Sequence, residues 1–204
     1  MLLRLINRLQ RRPVVYDEHF FQAAWFKEWE KLSGVLSDLI QSETKWRSIV
    51  DFGCGPGVMI DLMTDHGLDY VGCDYSKEAY QLYLSHYGKF PMRYVSTLDE
   101  AISKKRDVLL AFDVLEHMRD EEIANLIANT LSIPEMFFNI SRTRGIPGHI
   151  NIKSDRAWLS FMESNGLFLD IKRTFSLRQM YKQLRPGSPD CWDCNIFLFC
   201  RKLL

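Results

Sequence analysis

The chain has 204 residues, of which 47% are hydrophobic and 25% charged, so it can bury one sizeable core and is more consistent with one domain than with two. Its 11 Gly and 7 Pro exclude collagen-like and low-complexity sequence. The 26 basic and 26 acidic side chains cancel, so no overall positive field attracts a nucleic acid, and the composition argues against a nucleic-acid substrate.

Two further features of composition concern the location of the protein. Arg4 and Arg8 interrupt the apolar start before a signal-peptide core can form, and no apolar run reaches the roughly 18 residues of a membrane span. The five cysteines are an odd number, which is typical of free thiols and not of a disulfide framework. We therefore expect a cytoplasmic protein.

Residues 1–13 form a basic arm. Its four arginines meet no acidic residue before Asp17, and its apolar residues fall at helical spacing. Peripheral contact with an anionic membrane surface is one interpretation. A terminal helix that packs on its own domain, or a frayed tail, is the alternative.

The next segment predicts an amphipathic helix from Asp17 to about Gln41. Its apolar residues repeat every three to four positions: Phe20, Phe21, Ala24, Trp25, Trp29, Leu32, Leu36 and Leu39. We divide the chain into the arm and a single domain over residues 14–204. Within that domain, residues 14–44 form a helical cover and residues 45–204 form an α/β core.

In the core, short apolar runs alternate with helical patterns. Strands are predicted at 48–52, 68–74, 92–95, 107–112, 135–140, 167–174 and 195–201, and helices after residue 57 and at 77–86, 119–130 and 154–164. This alternation predicts a mostly parallel sheet with helices on both faces. No helical pattern separates the last two strands, so we expect them to pair as an antiparallel edge, with irregular structure over 176–194.

A glycine-rich turn, Gly53-Cys54-Gly55-Pro56-Gly57, follows the first strand. Glycines at alternate positions let a ligand approach the backbone, at the edge where open α/β sheets bind ligands. The dinucleotide fingerprint fails because Val58 or Ile60 stands where its third small residue belongs. No Gly-Lys-Ser/Thr sequence closes a P-loop. A tight turn without a ligand is the alternative.

Asp74 ends the second strand, near the usual distance from a glycine turn for an acid that accepts hydrogen bonds from ribose hydroxyls. Its alternative role is to cap the helix that begins near Ser76.

Three segments, Val50–Gly57, Val71–Ser76 and Ala111–His117, resemble in order and spacing the class I S-adenosylmethionine-dependent methyltransferases of the small-molecule type. The resemblance covers about residues 45–175. It implies an α/β, Rossmann-like, seven-stranded sheet with an antiparallel last strand, and S-adenosyl-L-methionine as the cofactor. We expect no catalytic metal.

The resemblance also implies which residues contact the cofactor. Asp51 and the glycine turn would face its methionyl part, Asp74 its ribose and Tyr75 its adenine. Ser96 or Thr97 stands where family members often carry an adenine-binding Asp. The predicted cofactor-binding set is Asp51, Gly53, Cys54, Gly55, Gly57, Asp74, Tyr75, Ser96, Thr97, Phe112 and Asp113.

Methyl transfer requires a positioned acceptor and, for a hydroxyl or amine, a base. A neutral His is the natural base near pH 7. His149, in the loop after the fifth strand, is the preferred base, and His117 is the second candidate. The alternatives are that His149 holds its loop shut and that His117 shapes the pocket.

Four residues are predicted to bind the acceptor: Tyr16, Arg142, Arg144 and Asn151. The guanidinium groups suit a carboxylate or phosphate, although solvated surface arginines are the alternative. Cys191 and Cys194 have the spacing of half a zinc site, but no second pair completes it.

The sequence thus predicts methylation of O or N on a small molecule or glycan. A non-catalytic binding or scaffold protein and a protein or nucleic-acid methyltransferase are the alternatives. The oligomeric state is not predicted.

Overall fold

The computed structural model describes residue 20, residues 24–186 and residues 192–201. The predicted basic arm, Tyr16 and Cys191 lie outside these residues. Across the described ranges, no helix combines the length and apolar character needed to cross a membrane.

Helices and strands alternate through the described chain. In order they are α1 (Ala24–Ser42), β1 (Ser48–Phe52), α2 (Val58–Asp65), β2 (Asp69–Cys73), α3 (Lys77–His86), β3 (Tyr94–Val95), α4 (Leu98–Ala101), β4 (Val108–Phe112), α5 (Asp120–Asn129), β5 (Glu135–Asn139), α6 (Asp155–Ser164), β6 (Leu167–Leu169), α7 (Ile171–Leu184) and β7 (Ile196–Arg201). Short 3-10 turns lie at Pro91–Arg93, Leu115–His117 and Trp192–Asn195.

The strands form one seven-stranded sheet in the order β3-β2-β1-β4-β5-β7-β6. β1 pairs in parallel with β2 and β4, whereas β7 runs antiparallel to β5 and β6. The Rossmann-like prediction with an antiparallel last strand is therefore confirmed. The strand order reverses between β1 and β4, and open α/β sheets bind ligands at such a point, beyond the carboxyl ends of the strands.

Alternate strand residues enter two separate cores because successive side chains point to opposite faces of a sheet. Ile49 packs with residues of α1, α2 and α7, and Val50 packs with residues of α4, α5 and α6. Both faces of the sheet are therefore covered, which explains the nearly continuous apolar strands.

The predicted amphipathic helix is confirmed within the described residues. Leu32, Leu36 and Leu39 are buried, and Trp29 packs against the same core. α1 ends at Ser42, one residue beyond the predicted end, and packs against α2 and α7.

The prediction for residues 167–194 is partly wrong. β6 ends at Leu169, and α7 follows where a longer strand and irregular structure were expected. The Asp170 side chain caps α7 by accepting a hydrogen bond of 3.0 Å from the backbone N–H of Arg173. Ile171 and Phe175 are exposed, which weakens the apolar periodicity of this helix. The antiparallel pairing of the last two strands is confirmed.

The amino ends of the parallel strands carry a network of paired charges. Glu135, the first residue of β5, accepts hydrogen bonds of 2.9 and 2.8 Å from Arg173 and one of 2.7 Å from the Trp46 indole. At the start of β2, Asp69 pairs with Arg93 and Arg106. These pairs satisfy the charges at the edge of the sheet that lies opposite the carboxyl ends.

We predict that Arg173→Met destabilises the protein by about 2 kcal/mol, because it leaves Glu135 without its bidentate cation. The loss is smaller than for a fully buried pair since the Arg173 side chain is 23% exposed. Denaturant unfolding of Arg173→Met beside Lys172→Met, an exposed neighbour, measures it. Equal stability of the two variants would contradict this role.

Candidate active site

The crevice between β1 and β4 is built from the turn after each strand. Gly53 and Gly57 have φ angles of 74° and 67°, in the left-handed region that favours glycine. A Cβ at Gly53 would lie 2.6 Å from a Val114 methyl group, and one at Gly57 would lie 2.8 Å from the Tyr83 ring. The turn therefore requires glycine for its conformation and for its close contacts.

Asp74 binds the glycine turn. Its carboxylate accepts hydrogen bonds of 2.9 Å from the backbone N–H groups of Gly55 and Ser76. Burial raises its pKa, and the N–H groups of Ser76, Gly55 and Tyr75 oppose that rise. The capping of α3 falls to Ser76, whose hydroxyl accepts from Ala79 N–H at 3.0 Å. Ser76, and not Asp74, is therefore the side-chain cap of α3. Asp74 instead fixes the glycine turn through Gly55.

Asp51 is a buried acid on β1. Its one described hydrogen bond is donated by the Tyr70 hydroxyl at 2.9 Å. Burial raises the pKa of Asp51 to about 7, the Tyr70 bond opposes the rise and the negative Asp74 adds to it. An ionised Asp51 therefore lacks a full complement of donors and favours a cationic neighbour.

Asp113 follows β4 with a φ of 52°, the one described residue other than glycine with a positive φ. Its N–H donates to the Asn139 carbonyl at 3.0 Å, which ties the ends of β4 and β5 together. Burial raises its pKa to about 6, against the lowering effect of the Trp192, Glu116 and Trp29 side chains. Strained backbone of this kind concentrates at functional sites.

The two predicted histidines meet at one fully buried acid, Glu116. The rings of His117 and His149 contact each other edge to face, with centroids 4.8 Å apart. His149 Nε2 lies 4.0 Å from Glu116 Oε1. The Glu116 carbonyl accepts hydrogen bonds of 2.9 Å from the N–H groups of Ile150 and Asn151, so it anchors the loop that carries His149.

Both histidines are neutral near pH 7. Burial, followed by the neighbouring His149, lowers the pKa of His117 to about 4. Burial also lowers the pKa of His149, which is 6% exposed. Burial and then the negative Asp113 raise the pKa of Glu116 well above its usual range.

The remaining predicted cofactor residues lie along the same edge. Tyr75 is 76% exposed directly after β2. Thr97 accepts the N–H of Glu100 at 3.3 Å and so caps α4, whereas Ser96 is exposed. Phe112 lies at the end of β4, where its ring centroid is 6.4 Å from that of Trp29 and 5.8 Å from that of Trp192.

The predicted acceptor residues that the structure describes follow β5. Arg142 pairs with Asp155 and donates to Asn195 at 3.1 Å. Asn151 donates to the Met118 carbonyl at 2.9 Å and to Asp120 at 2.7 Å, which links the loops after β4 and β5.

An open cleft of about 390 Å³ is lined by Arg142, Thr143, Arg144, Ile152, Lys153, Ser154 and Asn195. Arg144 is exposed and forms no ion pair with the described residues. The cleft is therefore cationic, which suits an anionic group.

Sequence reasoning missed Glu116, Lys153 and Trp192 as site residues. Glu116 directly precedes His117 in the quoted motif, but only the contact between the loops shows that it also meets His149. Trp192 lies in the stretch that was predicted to be irregular, and its ring packs 6.3 Å from that of Trp29.

The sequence matches the family described as "Methyltransferase domain" over residues 16–133, more than half of the chain. The chain therefore belongs to this family, and it is an S-adenosylmethionine-dependent class I methyltransferase. No curated protein matches the sequence.

Solved structures with low sequence identity share the fold. Magnesium protoporphyrin IX methyltransferase from Synechocystis, with bound S-adenosylmethionine, is 16% identical with a TM-score of 0.57, over 90% of this chain and 94% of that one. A TehB-like methyltransferase from Corynebacterium glutamicum is 16% identical with a TM-score of 0.59, over 87% and 96%. The plantazolicin methyltransferase BpumL is 13% identical with a TM-score of 0.60, over 97% and 98%.

We predict that Asp51→Asn stabilises the ligand-free protein, and by more at pH 8 than at pH 5. The folded pKa is about 7 and the unfolded one 3.8, so stability falls as the pH rises from 3.8 to 7. At about 1.4 kcal/mol per pKa unit, ionisation of Asp51 lowers the free energy of unfolding by about 4 kcal/mol above pH 7.

Thermal denaturation at the two pH values measures this effect. Asp38→Asn, an exposed acid on α1, is the control. A gain for Asp51→Asn that does not grow with pH would show that Asp51 is not held neutral by burial.

Proposed function

We propose that this methyltransferase binds S-adenosylmethionine at the carboxyl ends of β1, β2 and β4 and methylates O or N of a small anionic acceptor. The observation that carries the cofactor site is the pairing of a turn that admits only glycine at residues 53 and 57 with the uncompensated carboxyl of Asp51 beside it on β1. The cofactor has a cationic ammonium and a sulfonium, and when bound it supplies the electrophilic methyl group.

Each predicted residue contacts a different part of the cofactor, according to its position along the carboxyl edge of the sheet. Asp51 and the backbone of the turn, with Cys54 between the glycines, face the methionyl part. Asp74, whose position is fixed by the hydrogen bond from Gly55 N–H, accepts hydrogen bonds from the ribose hydroxyls. Tyr75 lies beside the adenine, together with Ser96 and Thr97. Phe112 and Asp113 line the pocket after β4.

The cleft after β5 supports an anionic acceptor. Arg144 is exposed there without an ion pair among the described residues, whereas Arg142 and Lys153 already pair with Asp155 and Asp120. Arg144 is therefore the cation that a carboxylate or phosphate of the acceptor would engage. Arg142 forms part of the wall of the cleft, where its ion pair with Asp155 holds it in place. Asn151 positions the loop after β5 through its hydrogen bonds to Met118 and Asp120.

Proton removal is assigned to the histidine pair. The Thr143 carbonyl can only accept a hydrogen bond, so Nδ1 of His149, 3.0 Å from it, carries the proton and Nε2 carries the lone pair. Because burial keeps His149 neutral, Nε2 is available as a base near pH 7. His117 contacts the His149 ring edge to face. Burial lowers the pKa of His117 as well, so this second imidazole adds no positive charge to the site near pH 7.

Asp74→Asn is expected to weaken S-adenosylmethionine binding at least tenfold, because the amide donates where ribose hydroxyls need an acceptor and disturbs the bond to Gly55 N–H. Calorimetric titration with S-adenosylmethionine and S-adenosylhomocysteine, with NAD as the control ligand, measures it. Asp38→Asn is the matched control variant. Unchanged affinity would remove Asp74 from the site, and no binding by the wild type would favour the scaffold alternative.

Arg144→Gln is expected to raise KM for an anionic acceptor about tenfold while leaving kcat and the affinity for S-adenosylmethionine unchanged. Release of S-adenosylhomocysteine is measured over a panel of hydroxy and amino compounds with and without a carboxylate or phosphate. Arg156→Gln, an exposed arginine on α6 outside the cleft, is the control. Equal preference of the wild type for neutral and anionic compounds would overturn the anionic acceptor.

A further inference from the structure

Glu116, His117 and His149 form a potential metal-ligand set between the loops after β4 and β5. One ligand atom from each residue lies within 4.8 Å of the others. Around a single ion with bonds of about 2.1 Å, tetrahedral ligands lie about 3.4 Å apart, so small side-chain rotations would complete the site. Two imidazoles and a carboxylate are the donors that first-row transition metals prefer.

The orientation of His149 is the first argument for an ion. Its Nδ1–H donates to the Thr143 carbonyl at 3.0 Å, which leaves the Nε2 lone pair facing Glu116 Oε1 across 4.0 Å. That separation is too long for a hydrogen bond. Metal-binding histidines characteristically donate their other ring N–H to a carbonyl or carboxylate in this way, because it fixes the ring and its tautomer.

The second argument is the state of Glu116. Its side chain is 0% exposed, and one carboxylate oxygen accepts the Ser141 N–H at 3.0 Å. The other oxygen, Oε2, is buried without a hydrogen-bond partner. If Glu116 is ionised, this oxygen lacks a donor, which is costly in a buried place, and a cation beside it would remove that cost.

The third argument is the charge around the cluster. The Asp113 and Glu116 side chains lie within hydrogen-bond reach of each other, so two carboxyl groups share this space. Among the described residues, neither forms an ion pair with Lys or Arg. A divalent ion between these groups would compensate the carboxyl groups and also bind the lone pair of His149.

We infer that Glu116, His117 and His149 bind one divalent first-row transition-metal ion, of the zinc or cobalt type, between the loops after β4 and β5. Binding of the ion does not depend on the identity of the acceptor. A bound ion would occupy the lone pair of His149, so His149 would act as a ligand and not as the base. The ion would act as a Lewis acid that lowers the pKa of an acceptor oxygen or nitrogen bound to it, and the released proton would pass to water. This inference replaces the expectation of no catalytic metal that the sequence analysis gave.

The test is a titration of chelator-treated full-length protein with Co²⁺, followed by its visible absorption, and then displacement with Zn²⁺. We expect one saturable site per chain in the wild type. Glu116→Gln, His117→Gln and His149→Gln should each weaken binding at least tenfold. His66→Gln, which alters an exposed histidine at the end of α2, should bind as the wild type does.

Glu116→Gln keeps an acceptor for Ser141 N–H, and circular dichroism of each variant checks that it folds. No saturable Co²⁺ site in the folded wild type overturns the inference, as does binding that all three cluster variants retain. S-adenosylmethionine affinity is measured on the same samples. Cofactor binding without metal binding therefore refutes the ion alone, and metal binding without cofactor binding refutes the cofactor site alone.

Discussion

Acidic side chains are paired with arginines at the amino edge of the sheet but not at its carboxyl edge, and the proposed site depends on that difference. At the amino edge, Asp69 and Glu135 are paired with arginines. At the carboxyl edge, Asp51, Asp113 and Glu116 have no Lys or Arg partner within the described residues, and burial raises the pKa of each. Desolvated acids without cations are costly to the fold, so the carboxyl edge gains most from positively charged ligands.

The alternation of strands and helices, the glycine turn and Asp74 follow from local sequence patterns, whereas the seven-stranded topology is implied by the resemblance to class I methyltransferases. Strand and helix periodicities fix the alternation of elements, and the glycine turn can be recognised because backbone conformation limits those positions to glycine. Asp74 is predictable because it ends a strand that lies parallel to β1, so that its side chain must lie at the same edge of the sheet as the glycine turn. These features depend on residues that are close in sequence.

The rest of the site depends on contacts between distant segments. His117 and His149 were each identified as candidate bases, but their meeting at Glu116 follows from two hydrogen bonds between the Glu116 carbonyl and the loop after β5. No periodicity encodes such a contact. α7 was missed for a related reason, because its capping residue and its contact with β7 hold a helix whose own apolar pattern is weak.

The separation of the two edges also has a consequence for how such a protein can diversify. The ion pairs of Glu135 and Asp69 stabilise the sheet at its amino edge, opposite the proposed ligand site. The loops after β4 and β5, which bring together the histidines and the cationic cleft, can therefore change in length and composition without removing those pairs. A chimera that carries these two loops from a distant relative would test acceptor choice on an otherwise constant frame, and selection for new acceptors can act there at little expense to folding.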